Sequence, residues 1–233
     1  ESTPAREGTP EPPARIPLPR PCTGQYLSLP TAMRYALKRF SNPLLFQGSL
    51  KRRRYFEGWY FKHVAADRDA VFAFIPGISL SPGNATAFVQ LIDGATGRTR
   101  WFPYPVDAFS YSRDEFGVSV GANRFSLRGI DVRLRDAEGE VEAHLAYAGI
   151  TPRPFSIGSP NIMGPYAYVP FMECYHGVGS LDHAVTGEVR IDERRFDFDG
   201  GRGYLEKDWG RSMPLAWIWA QVNGFAGPGS CLL

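Results

Sequence analysis

The stretch "RRRYFEGWYFKHV", from Arg52 to Val64, gathers five aromatic residues, one carboxylate and one glycine directly behind a run of positive charge. In a β-strand alternate side chains share a face. The odd-numbered residues of 55–63 are therefore predicted to point one way, and the even-numbered residues of 56–64 the other. Rings gathered in this way serve either as core packing or as the walls of a site for a flat or apolar ligand.

The same period of two continues along the chain. Short apolar runs such as "AVFAFIPGISL" (70–80), "TAFVQLID" (86–93) and "VEAHLAYAGI" (141–150) are separated by loops rich in Gly, Asp, Asn and Pro. Strands at this spacing, with few helical stretches between them, predict an all-β fold in the form of an antiparallel barrel or sandwich.

The composition is that of a chain able to bury a core. Of its 233 residues 43% are hydrophobic and 21% are charged. The net charge of +2, with no motif known to read bases, gives no reason to expect a nucleic acid partner. Cys22, Cys174 and Cys231 lie too far apart for a disulfide scaffold or a zinc ribbon. No apolar run approaches the ~20 residues that cross a bilayer.

Three segments are predicted along most of the chain. Residues 1–30 are rich in proline and poor in apolar side chains, which predicts a disordered tail. Helical spacing in "PTAMRYALKRF" predicts a short helix and linker over residues 31–45. A first β domain is predicted over residues 46–212.

A short internal sequence repeat lies near the end of the chain. The run "AWIWAQV" (216–222) matches "GWYFKHV" (58–64) when Trp217 is placed over Trp59. Two matched openings of the same strand pair predict a duplicated β domain. On this interpretation residues 213–233 are the start of a second, incomplete copy.

Glu57 is the first candidate for acid chemistry. On the predicted strand its carboxyl lies beside the ring of Trp59. A carboxyl in a dry aromatic pocket is disfavoured in its charged form, which suits it to proton donation. The alternative is that Glu57 pairs with an arginine of the "KRRR" run (51–54) and that the rings are only core packing.

The run "GYLEKDWGRS" (203–212) holds two further candidates. Alternation places Tyr204, Glu206 and Asp208 on one face of a strand, about 6.5 to 7 Å apart along the backbone. Two carboxylates this close hinder each other's ionisation, which leaves one of them protonated. The alternative is a solvated turn in which the neighbouring lysine and arginine neutralise both acids.

A third rich run, "NIMGPYAYVPFMECYHGVGSLDH" (161–183), contains Glu173, Cys174, His176 and His183. On a strand Cys174 and His176 face away from Glu173, and the spacing matches no zinc pattern. No metal site is therefore predicted. Instead Met172, Cys174 and His176 are expected to line a wall of a ligand site, with Glu173 and Tyr175 across the sheet.

Three motifs carry a resemblance to a known family. The runs "YFEGWYFK" (55–62), "SPNIMGPYAYVPFMECYHG" (159–177) and "GYLEKDWGRSMPLAWIWAQVN" (203–223) resemble the tocopherol cyclase family, and the match extends from about Phe46 to the end of the chain. More distantly, "EGWYF" and "DWG" with a following "WxW" are similar to the carotenoid hydratase relatives, which have two lipocalin-like β domains. The resemblance implies a lipocalin-like antiparallel β-barrel or sandwich.

The resemblance also implies a reaction that needs no cofactor, in which a prenylated hydroquinone closes onto its own tail to give a chromanol. An acid must protonate the tail alkene, and the expected donors are Asp208 or Glu206, with Glu57 third. Aromatic faces must hold the developing cation while water is kept away. The expected substrate-binding residues are Trp59, Tyr60, Phe61, Glu173, His176, Tyr204, Trp209 and Trp217.

Two rival functions remain open. A related enzyme would capture the same cation with water, as in alkene hydration, whereas a lipocalin-like carrier would bind a lipid or quinone without turnover. In each case the partner is a small hydrophobic molecule. The run "KRRR" adds an expected peripheral contact with anionic lipid headgroups. The expected location is the cytoplasm or membrane periphery of a bacterium, or the plastid of a photosynthetic eukaryote.

Overall fold

The computed structural model describes residues 31–51 and 53–222, and within this part of the chain it shows one helix and twelve strands. The helix α1 spans Thr31–Ser41. The strands are β1 Phe56–Val64, β2 Val71–Ser81, β3 Asn84–Asp93, β4 Thr99–Tyr104, β5 Phe109–Tyr111, β6 Gly117–Val120, β7 Asn123–Ser126, β8 Gly129–Asp136, β9 Gly139–Ala148, β10 Cys174–Ile191, β11 Arg194–Asp197 and β12 Gly201–Gly210. Short 3-10 turns lie at Val106–Ala108 and Gly164–Tyr168. The predicted tail 1–30 and residues 223–233 lie outside the described residues.

All twelve strands join one antiparallel sheet, in the order β4-β3-β2-β1-β12-β10-β9-β8-β7-β6-β5, with β11 pairing with β10. Among the described residues β4 and β5, at the two ends of this order, do not pair with each other, so the sheet is not closed. The sheet rolls until its two halves face each other: Nδ2 of Asn123 on β7 donates to the hydroxyl of Tyr104 on β4 over 3.1 Å. The prediction of an all-β antiparallel fold is confirmed, with 53% strand and 9% helix.

The inside of the roll is filled with aromatic rings. Buried and half-buried residues alternate along β1, and Trp59 and Phe61 have no exposed surface. The Trp59 ring stacks 6.1 Å from Phe109, and the Phe61 ring lies 5.6 Å from Phe125 on the opposite half of the sheet. Burying each ring contributes about 1.5–3 kcal/mol to stability. These rings of the opening stretch are therefore core packing.

A segment between α1 and β1 packs into one end of the roll. Its residues Leu44, Leu45 and Phe46 are buried, and the carbonyl of Leu44 accepts a hydrogen bond from Trp59 Nε1 over 2.8 Å. Gly179 on β10 leaves room for this segment, since a Cβ there would lie 2.5 Å from Leu44 Cδ2. The same end, where β1 and β10 begin and β12 ends, is called the near end below.

The second β domain was predicted to begin at residue 213, and the described part of that segment, residues 213–222, forms no continuous strand. They run back from the end of β12 and contact the outer face of the sheet through Trp219 and Gln221. Of the helices in the part of the chain that the structure describes, none has the length and apolar character needed to span a bilayer.

Candidate active site

Three neighbouring strands, β10, β12 and β1, carry the predicted acids, but on two different faces. Across β1 and β12 Glu57 pairs with Trp209, and Tyr60 with Glu206. Because side chains alternate, Glu57 lies on the inner face of the sheet, while Glu206 and Asp208 lie on the outer face. The structure thus brings Asp208 and Glu206 together and separates them from Glu57.

On the inner face Glu57 forms a fully buried ion pair with Lys207, and Lys207 Nζ lies 2.6 Å from Glu57 Oε1. The backbone N–H of Gln47, at 2.9 Å, and the hydroxyl of Tyr55, at 2.5 Å, donate to the same carboxylate. Burial lowers the pKa of Lys207 to about 8, although the charge of Glu57 acts in the opposite direction. The hydrogen bonds to Glu57 hold the segment after α1 against the sheet, and among the described residues the ion-pair partner of Glu57 is Lys207.

On the outer face His176 lies between the two other acids. Its Nδ1 is 2.7 Å from Asp208 Oδ1, and its Nε2 is 3.4 Å from Glu206 Oε2. Burial by itself would lower the pKa of His176, but the hydrogen bonds and charges of Asp208 and Glu206 outweigh it and raise the pKa to about 9. The imidazole is therefore protonated at neutral pH.

Glu206 is buried and held by aromatic donors. The hydroxyl of Tyr204 donates to its Oε2 over 2.6 Å, and Trp219 Nε1 donates to the same oxygen over 2.9 Å. Burial, with the charge of Glu206 as the next cause, raises the pKa of Tyr60 to about 12 and raises that of Tyr204 further. Both phenols therefore stay neutral beside Glu206 at neutral pH.

The arm of residues 213–222 completes the outer cluster. The Trp219 ring lies edge-on to Tyr60, with the ring centroids 5.7 Å apart. Further along, Lys62 Nζ donates to Gln221 Oε1 over 2.8 Å. Burial lowers the pKa of Lys62, and the charge of Glu206 opposes that shift. The result is an aromatic wall beside a carboxyl and imidazole pair whose Asp208 side chain is 32% exposed.

The remaining predicted substrate-binding residues are dispersed. Trp59 and Phe61 lie on the inner face in the packed core. Trp209 also lies on that side and stacks 5.6 Å from Tyr175. Trp217 on the arm is 62% exposed. The backbone carbonyl of Glu173 accepts from the backbone N–H of Arg211 at the end of the sheet, whereas no contact joins its side chain to the outer cluster.

Sequence reasoning missed several residues that contact the predicted acids. Lys207 had been considered only as a neutralising group on a turn, although its position beside Glu206 in "LEKD" already places it on the opposite face. Trp219 and Gln221 belong to the repeated run 216–222, but they were not predicted to be parts of a site. No signal in the sequence shows that Lys62 and Gln221 meet, because they are far apart along the chain and join only through the returning arm.

A cation is compatible with the same cluster. One ligand atom each from His176, Glu206 and Asp208 lies within 4.8 Å of the other two, and imidazole with carboxylates suits a divalent transition metal. However, Oε2 of Glu206 already accepts two hydrogen bonds, from Tyr204 and Trp219. The absence of a metal from the site stays a prediction.

Comparisons with known proteins concern mainly the last third of the chain. The family model described as tocopherol cyclase-like matches residues 160–232. A probable chloroplastic tocopherol cyclase of rice (Oryza sativa subsp. japonica) is 36% identical over 64 residues, and so is the chloroplastic tocopherol cyclase of maize (Zea mays). Each alignment covers 28% of this chain and only 14% of the relative.

Among solved structures, the crystal structure of CghA with Sch210972 aligns at a TM-score of 0.45 with 14% sequence identity. That alignment covers 68% of this chain and 46% of CghA. This weak likeness indicates nothing about function. The sequence matches, by contrast, include the β10 and β12 motifs that build the outer cluster. Residues 160–232 are thus similar to tocopherol cyclases, which confirms for this segment the resemblance expected from its motifs; the part of the expected match before residue 160 stays a prediction.

Proposed function

We propose that this protein is a tocopherol cyclase-like enzyme that closes a prenylated hydroquinone to a chromanol. The observation that carries the proposal is the outer cluster, in which the imidazole of His176 lies between two carboxylates beside the rings of Tyr60 and Trp219. The named relatives of the matched segment are tocopherol cyclases of rice and maize. Because only a small part of each is matched, the reaction is our inference for this chain.

The chemistry requires one proton to be given and taken back. The acid transfers a proton to one alkene carbon of the tail, so that a C–H bond forms, the π bond breaks and a tertiary cation remains. The phenol oxygen then forms a C–O bond to the cationic carbon, and its O–H proton returns to the base. Substrate and product are isomers, and no other reactant is consumed.

The contacts favour Asp208 as the residue that exchanges this proton. Its carboxyl is partly exposed and lies 2.7 Å from Nδ1 of His176, so a proton held by the imidazole can pass to the substrate through Asp208. Glu206 has little exposed surface, and Tyr204 and Trp219 already donate to it. We assign to Glu206 the role of holding His176 in its protonated form and in place. Glu57, on the other face of the sheet, takes no part.

The rings around the cluster have two roles. The faces of Tyr60 and Trp219 can stabilise a nearby cation through their quadrupoles without forming a bond to it. Their bulk also shields the cation from water, which would otherwise add to it. Trp59 and Phe61 contribute by making the opposite face of β1 a rigid support.

The test is a reaction of the protein with a prenylated benzoquinol in deuterated water. A cyclase is expected to give a product isomeric with the substrate that carries one new C–D bond. Replacing Asp208 by asparagine is expected to lower turnover by about 10²–10⁴-fold, the usual contribution of a general acid, with substrate affinity retained. The matched control is Asp131→Asn, which breaks an exposed pair with His144 on β8 and β9 and should leave turnover unchanged.

Three results would overturn the proposal. A product heavier by one water would show that the protein is a hydratase. Binding of the quinol without any product would show a carrier. Turnover that survives Asp208→Asn unchanged would show that the proton comes from another group.

A further inference from the structure

The long loop between β9 and β10 exposes large apolar side chains. The most exposed are Ile157, at 84%, and Phe171, at 81%. Further apolar and aromatic side chains with large exposed fractions in the same loop are Phe155, Tyr166, Tyr168 and Val169. Apolar side chains grouped in this way on one surface mark a contact with a partner or a membrane.

A second segment with exposed side chains lies at the same end of the sheet. It precedes β1 and presents Leu50, which is 43% exposed, together with exposed Lys51, Arg53 and Arg54. β1 and β10 both begin opposite the last residue of β12, because Phe56 and Cys174 are each in register with Gly210. The two segments therefore lie at the same end of the sheet, and Leu50, Lys51, Arg53, Arg54 and the loop 155–171 are together called the near-end surface.

The charge of the near-end surface is positive. Within the described residues Lys51, Arg53 and Arg54 form no ion pair. The acids of the neighbouring turn, Asp114 and Glu115, are paired with Lys38 and Arg128. Glu173 and Asp107 also lie toward this end, and exposed Arg211 adds a further positive charge. Basic residues thus outnumber unpaired acids.

We propose that the near-end surface docks the protein onto a bilayer that contains anionic lipids. Exposed Ile and Phe side chains gain free energy by entering the acyl boundary, and tyrosines are favoured at the level of the headgroups. Unpaired lysine and arginine are attracted to a negative leaflet over about one Debye length. This inference does not depend on the proposed reaction, because the docking is measured without substrate.

The experiment measures sedimentation of the protein with vesicles of phosphatidylcholine alone, and with vesicles that also contain phosphatidylserine. Binding is expected only to the anionic vesicles, and it should weaken as salt is added. The pair Lys51→Gln and Arg53→Gln should lower the partition coefficient by about 25-fold, at about fivefold for each charge. Ile157→Ser and Phe171→Asn should each lower it by about tenfold or more; asparagine suits position 171, where φ is 70°.

Two matched controls test the location of the surface. Arg135→Gln with Arg194→Gln removes two exposed charges at the opposite end of the sheet. Leu215→Ser with Ile218→Ser removes two fully exposed apolar side chains of the arm. Neither pair should change vesicle binding, and thermal unfolding confirms that every variant is folded.

The proposal is overturned if the unchanged protein does not bind anionic vesicles or binds both vesicle types equally. It is also overturned if the control pairs reduce binding as much as the near-end variants do. A protein that self-associates in solution through Ile157 and Phe171, with vesicle binding unaffected by their replacement, would show that the surface is an interface between proteins.

Discussion

Replacing His176 by glutamine should change how stability depends on pH. In the folded protein the pKa of His176 is raised from its ordinary value of 6.5 to about 9, because Asp208 and Glu206 outweigh the effect of burial. A group with a raised pKa binds its proton more tightly when folded. Its stabilising contribution is therefore complete below pH 6.5 and is lost as the pH rises to about 9.

The size of this effect follows from the two pKa values. Each tenfold difference in proton affinity corresponds to about 1.4 kcal/mol, so the interval from 6.5 to about 9 corresponds to at most about 3.5 kcal/mol. Since the His176 side chain is 22% exposed, solvent screening reduces this, and about 2 kcal/mol is expected. The loss should fall almost entirely between pH 6.5 and 9.

Urea unfolding at several pH values measures this loss. Burial lowers the pKa of Lys207 to about 8, so above this pH the folded protein loses the proton before the unfolded chain does. The contribution of Lys207 to the free energy of unfolding therefore rises with pH in the upper part of the same interval. Subtracting the free energy of unfolding of His176→Gln from that of the unchanged protein removes this common contribution. The difference should shrink by about 2 kcal/mol between pH 6.5 and 9.

The control is His144→Gln, which removes the other histidine paired with an acid. That side chain is 51% exposed, and a screened surface pair contributes little. The reasoning is refuted if the His176→Gln difference stays constant across the interval. It is refuted equally if His144→Gln gives the same slope.

Two further predictions concern the inner face. Lys207→Met leaves the Glu57 carboxylate buried without its counterion, so the free energy of unfolding in urea should fall by about 3–5 kcal/mol. Adding Glu57→Leu should recover part of that loss. If Lys207→Met alone is as stable as the unchanged protein, the buried ion pair is contradicted. Burial lowers the pKa of His63 to about 3 and that of His183 to about 4, with His183 adding to the effect on His63. Because the unfolded chain binds these protons first, stability should fall as the pH drops, by about 2 kcal/mol for each histidine between 6.5 and 5. His183→Gln should therefore make the free energy of unfolding fall less steeply between pH 6.5 and 5. If the fall is unchanged, His183 does not cause it.

Part of the candidate site could be read from neighbouring residues of the sequence. Tyr204, Glu206 and Asp208 share a face because they alternate on one strand, and the structure has them together on the outer face of β12. Tyr60 joins them because β1 pairs with β12 in a register that places it beside Glu206. That register depends on both strands, so neither motif alone specifies it.

The role of Glu57 depended on a partner that local patterns do not reveal. Glu57 was predicted as the third candidate for the proton donor, after Asp208 and Glu206, because it is an acid in an aromatic run. In the structure it meets Lys207, which is 150 residues away along the chain. The contact arises because Glu57 and Lys207 both point inward from adjacent strands, and a buried carboxylate is stable only with a partner of opposite charge.

The sequence by itself determined the all-β antiparallel fold, the residues that share a face on each strand and the similarity of residues 160–232 to tocopherol cyclases, because these follow from the period of two and from contiguous motifs. The tertiary structure decided which face of β1 and β12 becomes the packed interior. It also decided that His176 lies between two acids and that Trp219 returns to Glu206. Such contacts join residues that are distant along the chain, and their geometry is set only when the sheet rolls and its strands adopt one register.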